Sequence, residues 1–317
     1  MNPWAPIILP SPPTMPLRQR GQQLLAQQRA SWELFGNGEA ALSGIISKQL
    51  MIDGISVVVQ ANPGRSISTN AKVDARSVAD RPCFLCPGSL PPEERGVAFG
   101  DYIVLPNPYP VLKSHFTIAF CHHEPQQVGT RLHALCAIAK ELGPDLFVLY
   151  NGPRCGASAP DHQHFQACSA EGVPLFMQLP DKGSTDTIVP LTLGGRRLLS
   201  GNFATTDSTI EFLASVLSNL QSLSNRDDEP MLNLIVRFCY DRFSVAVFPR
   251  AKHRSACYFA EPSQRLSISP AAIEMAGVIV VADLDHFDRV DAEAVAAIYR
   301  EVTLDAYSFS RLTEMTT

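Results

Sequence analysis

Two amphipathic stripes of similar design divide this chain of 317 residues. In the first, Val128, Leu132, Leu135, Ala139 and Leu142 recur at helical spacing, and Gly143-Pro144 closes the run. In the second, Ile210, Leu213, Leu217, Leu220 and Leu223 follow the same periodicity. Short apolar or β-branched runs flank both. Residues 102–105, 115–120, 145–150 and 164–168 surround the first stripe, and the pair 232–240 and 243–248 follows the second as a hairpin. Strands plus one long helix, met twice, predict an α+β protein of two related halves, each with an antiparallel sheet and a long helix. The expected division is an N-terminal arm and helix (1–45), a first half (46–178) and a second half (179–317). Residues 1–20 are expected to be irregular and 21–50 helical. A strand is expected at 56–60, loop at 61–100, a buried strand at 277–281 and one closing helix at 291–311.

Composition removes several classes of function. The net charge is −5, with no basic excess of the kind that nucleic acid selects. No run approaches the roughly 18 apolar residues of a membrane span, and the proline-rich start lacks the charged leader and apolar core of a signal peptide. Eight cysteines, of which only Cys83 and Cys86 lie close together, do not form a disulfide framework. A reducing cytoplasm is the expected location. The sequence says nothing about oligomeric state.

The chemistry concentrates in residues 151–166, NGPRCGASAPDHQHFQ. On a strand, residues two apart face the same way, so His162, His164 and Gln166 are expected on one face. Upstream, Gly156-Ala157-Ser158 is a turn of small residues whose backbone N–H groups can approach an anion. Asn151 opens the segment. Together these residues describe a phosphate site holding a nucleophile, because a neutral imidazole offers one free lone pair near pH 7. Taken alone, His-x-His-x-Gln is more often a half-exposed strand; the Gly-Ala-Ser turn and the preceding Asn-Gly favour the site.

The same segment resembles the active-site stretch of the histidine-triad transferases: galactose-1-phosphate uridylyltransferase, diadenosine tetraphosphate phosphorylase and the GDP-hexose phosphorylases. The resemblance implies a histidine-triad-like fold in both halves. It makes His164 the nucleophile that carries a nucleoside monophosphate, with His162 and Gln166 as catalytic partners. Gln166 stands where the hydrolase branch has a third histidine that protonates the leaving group, so transfer or phosphorolysis is expected over hydrolysis. QANPGR (residues 60–65) and HFQA (164–167) are similar to GDP-hexose phosphorylases. Over residues 20–305 the chain resembles an uncharacterised bacterial branch, through RPCFLC, NPYP and CGASAPDHQHFQA. One extra residue near Pro160-Asp161 departs from the uridylyltransferase pattern.

Cys83-Phe84-Leu85-Cys86 reads alone as a redox pair, half a zinc site or two incidental thiols. His122, His123 and His162 have a reason to converge on it. The resemblance to uridylyltransferases implies a structural zinc held by Cys83, Cys86, His123 and His162. For phosphate and nucleotide binding the candidates are Asn151, Gly156, Ala157, Ser158, Arg65, Lys113, Arg250 and Lys252, the cations because polyphosphates need several. Asn107-Pro108-Tyr109-Pro110 is either a wall for base or ribose or a rigid turn. The acidic stretch 283–291 reads as a solvated helix start.

The expected substrate is a nucleotide or nucleotide sugar, with phosphate as acceptor. A GDP-hexose ranks first, then a dinucleoside polyphosphate, then a uridylyl donor. A non-catalytic nucleotide-binding module and a hydrolase are the readings of other classes.

Overall fold

The computed structural model describes residues 2–10, 12, 14–62, 77, 80–180, 183–224 and 228–316. Two helices open the chain, α1 (Leu17–Ser31) and α2 (Glu33–Leu42). The strands are β1 (Ile46–Ile52), β2 (Ile55–Ala61), β3 (Val97–Phe99), β4 (Tyr102–Pro106), β5 (Phe116–Phe120), β6 (Leu146–Asn151) and β7 (His164–Ser169), then β8 (Thr187–Leu193), β9 (Arg196–Phe203), β10 (Leu232–Cys239), β11 (Arg242–Pro249) and β12 (Val278–Val281). The remaining helices are α3 (Leu132–Leu142), α4 (Leu175–Gln178), α5 (Thr206–Ser224), α6 (Ala272–Met275), α7 (Leu284–Arg289), α8 (Ala292–Val302) and α9 (Ala306–Thr316). None is long and apolar enough to cross a membrane.

Among the described residues β3 to β11 form one sheet, in the order β3-β4-β5-β7-β6-β10-β11-β9-β8. The order reads symmetrically about the β6–β10 seam. Hairpin β4–β5, helix α3 and hairpin β6–β7 make one half; β8–β9, α5 and β10–β11 make the other. The two related α+β halves therefore share one continuous sheet, where Asn233 of β10 pairs in register with Asn151 of β6. Strand β7, which starts at His164, has β11 as its counterpart, and β11 carries no histidine.

Helices α1, α3 and α5 cover one face, where Leu135, Ile138, Leu142, Leu213, Val216 and Leu220 pack in a single cluster. This is why both stripes are apolar at helical spacing. On the other face β1, β2 and β12 form a second sheet, with β12 parallel to β2. Val57, Val59, Ile279 and Tyr299 fill the space between.

Four expectations differ. The helix expected over 21–50 is two helices ending at Leu42, and residues 46–52 are strand β1, where the β-hairpin with β2 overrides helix propensity. The closing helix is interrupted between Val302 and Ala306, where Thr303 bridges to Arg250. The β8–β9 hairpin was not expected. The proline-rich arm is packed: Trp4 is buried beside Leu85 and Leu105, and its indole N–H donates to the Cys121 carbonyl at 2.9 Å.

Candidate active site

The site is built where β7 begins. The main chain there is held by Gln126, a buried residue of the β5–α3 connection. The Gln126 Oε1 accepts from the His164 N–H at 2.8 Å, and its Nε2 donates to the carbonyls of Asn151 and His164, each at 3.0 Å. One amide side chain thus ties the end of β6 to the start of β7. Sequence reasoning passed over it, because an isolated glutamine carries no local signal.

His164 is buried at the wall of a cavity of about 430 Å³. Its Nδ1 lies 2.8 Å from the His162 carbonyl oxygen, which can only accept, so Nδ1 carries the proton and Nε2 keeps its lone pair. No described residue bonds Nε2. Burial pulls the imidazole down to about 4, so the ring is neutral near pH 7. Two residues on, Gln166 lines the same cavity, as strand alternation requires. The His115 ring orients it. Val111 N–H donates to His115 Nδ1 at 3.2 Å, so His115 Nε2 donates to Gln166 Oε1 at 2.9 Å. The Gln166 NH₂ group is left for the cavity.

Asn151, Gly156 and Ser158 also line the cavity, whereas Ala157 is buried beside it. The Asn151 Oδ1 accepts from Asn233 Nδ2 at 2.9 Å and from the Ala272 N–H at 2.8 Å. That fixes its flip and frees its NH₂ group. Gly156 has φ of +98°, the left-handed region that glycine tolerates. Asn107, Pro108 and Tyr109 form another part of the wall.

His162 departs from the same-face expectation. It precedes β7, and its ring turns away from the cavity: Nε2 donates to the Phe120 carbonyl at 2.8 Å, and Nδ1 lies 3.3 Å from Cys83 Sγ and 3.6 Å from Cys86 Sγ. Cys86 Sγ lies 3.4 Å from His123 Nδ1. These four residues present ligand atoms within 4.8 Å of one another, a group that could hold a metal ion. The spacing fits. Zinc–sulfur bonds of about 2.3 Å and zinc–nitrogen bonds of about 2.0–2.1 Å at tetrahedral angles separate sulfur from nitrogen by about 3.5 Å. The His162 Nε2–H bond to a carbonyl is the usual way a ligating ring is oriented. With no cation beside it, burial pushes the Cys83 thiol up to about 12, a cost that a bound dication removes. His122 instead packs edge-on against Phe120.

The described basic candidates do not gather at the cavity. Arg65 lies outside the described residues. Lys113 is exposed and paired with Glu171, and Lys252 is paired with Glu301. Neither lines the cavity. Arg250 is buried, and its guanidinium donates to Asn233 Oδ1 and to the carbonyls of Pro270, Val302, Lys252 and His253. With its N–H groups so engaged, Arg250 braces the Asn233–Asn151 pair and does not line the cavity. No described Arg or Lys lines the cavity. The Asp283 carboxylate caps α7, as a solvated helix start should.

One carboxyl was not anticipated. Glu94 lines the cavity, buried, with no hydrogen-bond or ion-pair partner among the described residues, and burial raises it to about 8.

Paired halves in one sheet, with a tautomer-fixed histidine at the head of β7, make an α+β fold that is shared with a solved phosphorylase. Residues 197–317 match the family described as GDPGP1-like, C-terminal domain, and residues 24–169 match a domain of unknown function, DUF4922. Among solved structures the chain is similar to yeast Ap4A phosphorylase Apa2 in complex with Ap4A. The TM-score is 0.63 at 15% identity, covering 90% of this chain and 98% of that one. The AMP complex of the same yeast enzyme gives 0.57 at 17% identity, over 89% and 97%. At such identity the likeness is one of fold. No curated protein sequence matches.

Proposed function

We propose that the protein is a phosphorylase that carries a nucleoside monophosphate on His164 and passes it to inorganic phosphate, with a GDP-hexose as the preferred substrate. The observation that carries this reading is the His164 ring: Nδ1–H is committed to the His162 carbonyl, and Nε2, at the cavity wall, is bonded by no described residue.

In the first step Nε2 attacks the α-phosphorus, a nitrogen–phosphorus bond forms, and the bond from phosphorus to the bridging oxygen breaks. The oxygen and its electron pair leave with the sugar phosphate. That group is stable as an anion, so no proton donor is needed at the position of Gln166. The ring becomes cationic, and the His162 carbonyl accepting from Nδ1–H stabilises it. The NH₂ groups of Gln166 and Asn151 and the amides of residues 156–158 meet the charge on the non-bridging oxygens. In the second step a phosphate oxygen attacks, the nitrogen–phosphorus bond breaks, and a nucleoside diphosphate leaves. Zinc on Cys83, Cys86, His123 and His162 would be structural: all four ligand positions are protein atoms, and the metal would hold the 83–86 loop against the turn that precedes His164.

A screen of GDP-hexoses, Ap4A and UDP-hexoses with inorganic phosphate tests the reaction. The fold likeness to Ap4A phosphorylase makes Ap4A the second substrate to try. Labelled substrate without acceptor is expected to leave an acid-labile, base-stable label on His164. Turnover by His164→Ala would refute the covalent route.

A further inference from the structure

Two carboxyls line the cavity among the described residues, Glu94 and Glu274. Glu274 Oε2 accepts from the Ala271 N–H at 2.9 Å and belongs to the cap of α6. Glu94 is 5% exposed, and nothing described bonds its carboxyl. A buried polar group without a partner is costly, and such groups persist chiefly where a ligand completes them.

The backbone around Glu94 is pinned, which holds the side chain at the wall. Glu94 N–H donates to the Pro91 carbonyl at 3.0 Å. Buried Gln28 of α1 grips both sides: its Oε1 accepts from the Arg95 N–H at 2.7 Å, and its Nε2 donates to the Glu93 carbonyl at 3.1 Å. Leu34, Leu85, Leu90 and Leu105 line the same cavity. Apolar walls with a few placed polar groups suit a nucleobase, which buries its faces and is told apart by its edge.

A ligand that brings two donors favours the ionised form of Glu94, and a carboxylate offers two adjacent acceptors and no donor. Guanine presents two adjacent donors on its Watson–Crick edge, N1–H and the exocyclic amino group. Adenine and cytosine each set a donor beside an acceptor, and uracil sets one donor between two acceptors. We propose that Glu94 reads the Watson–Crick edge of guanine, one carboxylate oxygen accepting from N1–H and the other from the amino group, and so sets the base specificity of the cavity. This rests on the cavity being the nucleotide site.

The test is equilibrium binding of GDP, IDP and ADP to the intact protein and to Glu94→Gln. IDP keeps N1–H and lacks the amino group. The native protein is expected to bind GDP about 10- to 100-fold more tightly than IDP, the usual worth of one hydrogen bond to a charged group, and to bind ADP more weakly still. Glu94→Gln puts a donor opposite a guanine donor and matches adenine, so its preference should move from GDP towards ADP. Equal binding of GDP and IDP by the native protein, or tighter binding of ADP than GDP, overturns the assignment. So does a guanine preference unchanged in Glu94→Gln. In those cases label on His164 would show that the phosphorylase reading survives. Binding of none of the three nucleotides overturns both.

Discussion

Arg250→Met separates two roles that an arginine after a strand can have. The guanidinium donates to Asn233 Oδ1 and to four backbone carbonyls, all in the interior. Methionine fills much of the stem's space and none of the bonds. Each acceptor left buried without a donor costs about 1–3 kcal/mol. Water entering the vacated space satisfies some of the five, so the loss should be about 3–5 kcal/mol. At about 2.1 cal/mol/K of unfolding entropy per residue, that lowers the melting temperature by roughly 4–8 °C. Thermal unfolding at fixed pH measures it, and phosphate KM measured well below the transition reads the other role. The expected result is a clear drop in melting temperature with phosphate KM nearly unchanged. Native melting with a tenfold or greater rise in phosphate KM would show that Arg250 reaches substrate, and the bracing argument would fail.

His164→Ala should fold and still bind nucleotide while losing the covalent label and turnover together, since the cavity wall survives and the attacking nitrogen does not; labelling and calorimetry on one preparation check this. Cys83→Ser or His123→Ala should lower bound zinc, measured by elemental analysis, and reduce thermal stability, because the 83–86 loop loses its tie to His162. Gly156→Ala forces a Cβ onto a φ of +98° and within 2.6 Å of Ala271 Cβ, so a loss of about 1–3 kcal/mol and a fall in kcat are expected from unfolding curves and initial rates. Glu94, raised from 4.5 to about 8, binds in the folded state a proton that the unfolded chain releases between those values. Its burial therefore destabilises increasingly as pH rises from about 4.5 to about 8. Glu94→Gln should nearly match the native protein near pH 4.5 and exceed its stability by on the order of 3–4 kcal/mol at pH 7–8, in ligand-free denaturant titrations. A gap that does not vary with pH would refute that shift.

The candidate metal group and the proposed nucleophile share one short stretch of chain. His162 faces the cysteines and His164 faces the cavity, yet the His162 carbonyl fixes the His164 tautomer. A metal bound at Nδ1 of His162 would therefore set the position of the carbonyl on which the nucleophile depends. The packed arm adds to the same end, since Trp4 and Leu85 share a cluster that backs the 83–86 loop.

Local pattern by itself determined a good deal. Helical spacing located α3 and α5, because each packs one face on the sheet, and alternation placed His164 and Gln166 on one face of β7. The ligand set Cys83, Cys86, His123 and His162 was legible through resemblance, and the structure brings those four side chains together. Tertiary structure alone decided what distant partners fix. Burial and five interior acceptors keep Arg250 off the cavity wall, and Lys113 and Lys252 pair at the surface with Glu171 and Glu301. Gln126, Asn233 and His115 act on groups 17 to 82 positions away. Glu94 looks like any surface glutamate until the fold encloses it. A hydrogen bond across a sheet seam leaves no periodic trace, and a desolvated carboxyl is a property of what surrounds it. Residue type and spacing thus name the chemistry of the nucleophile, while enclosure decides which charged groups face the cavity.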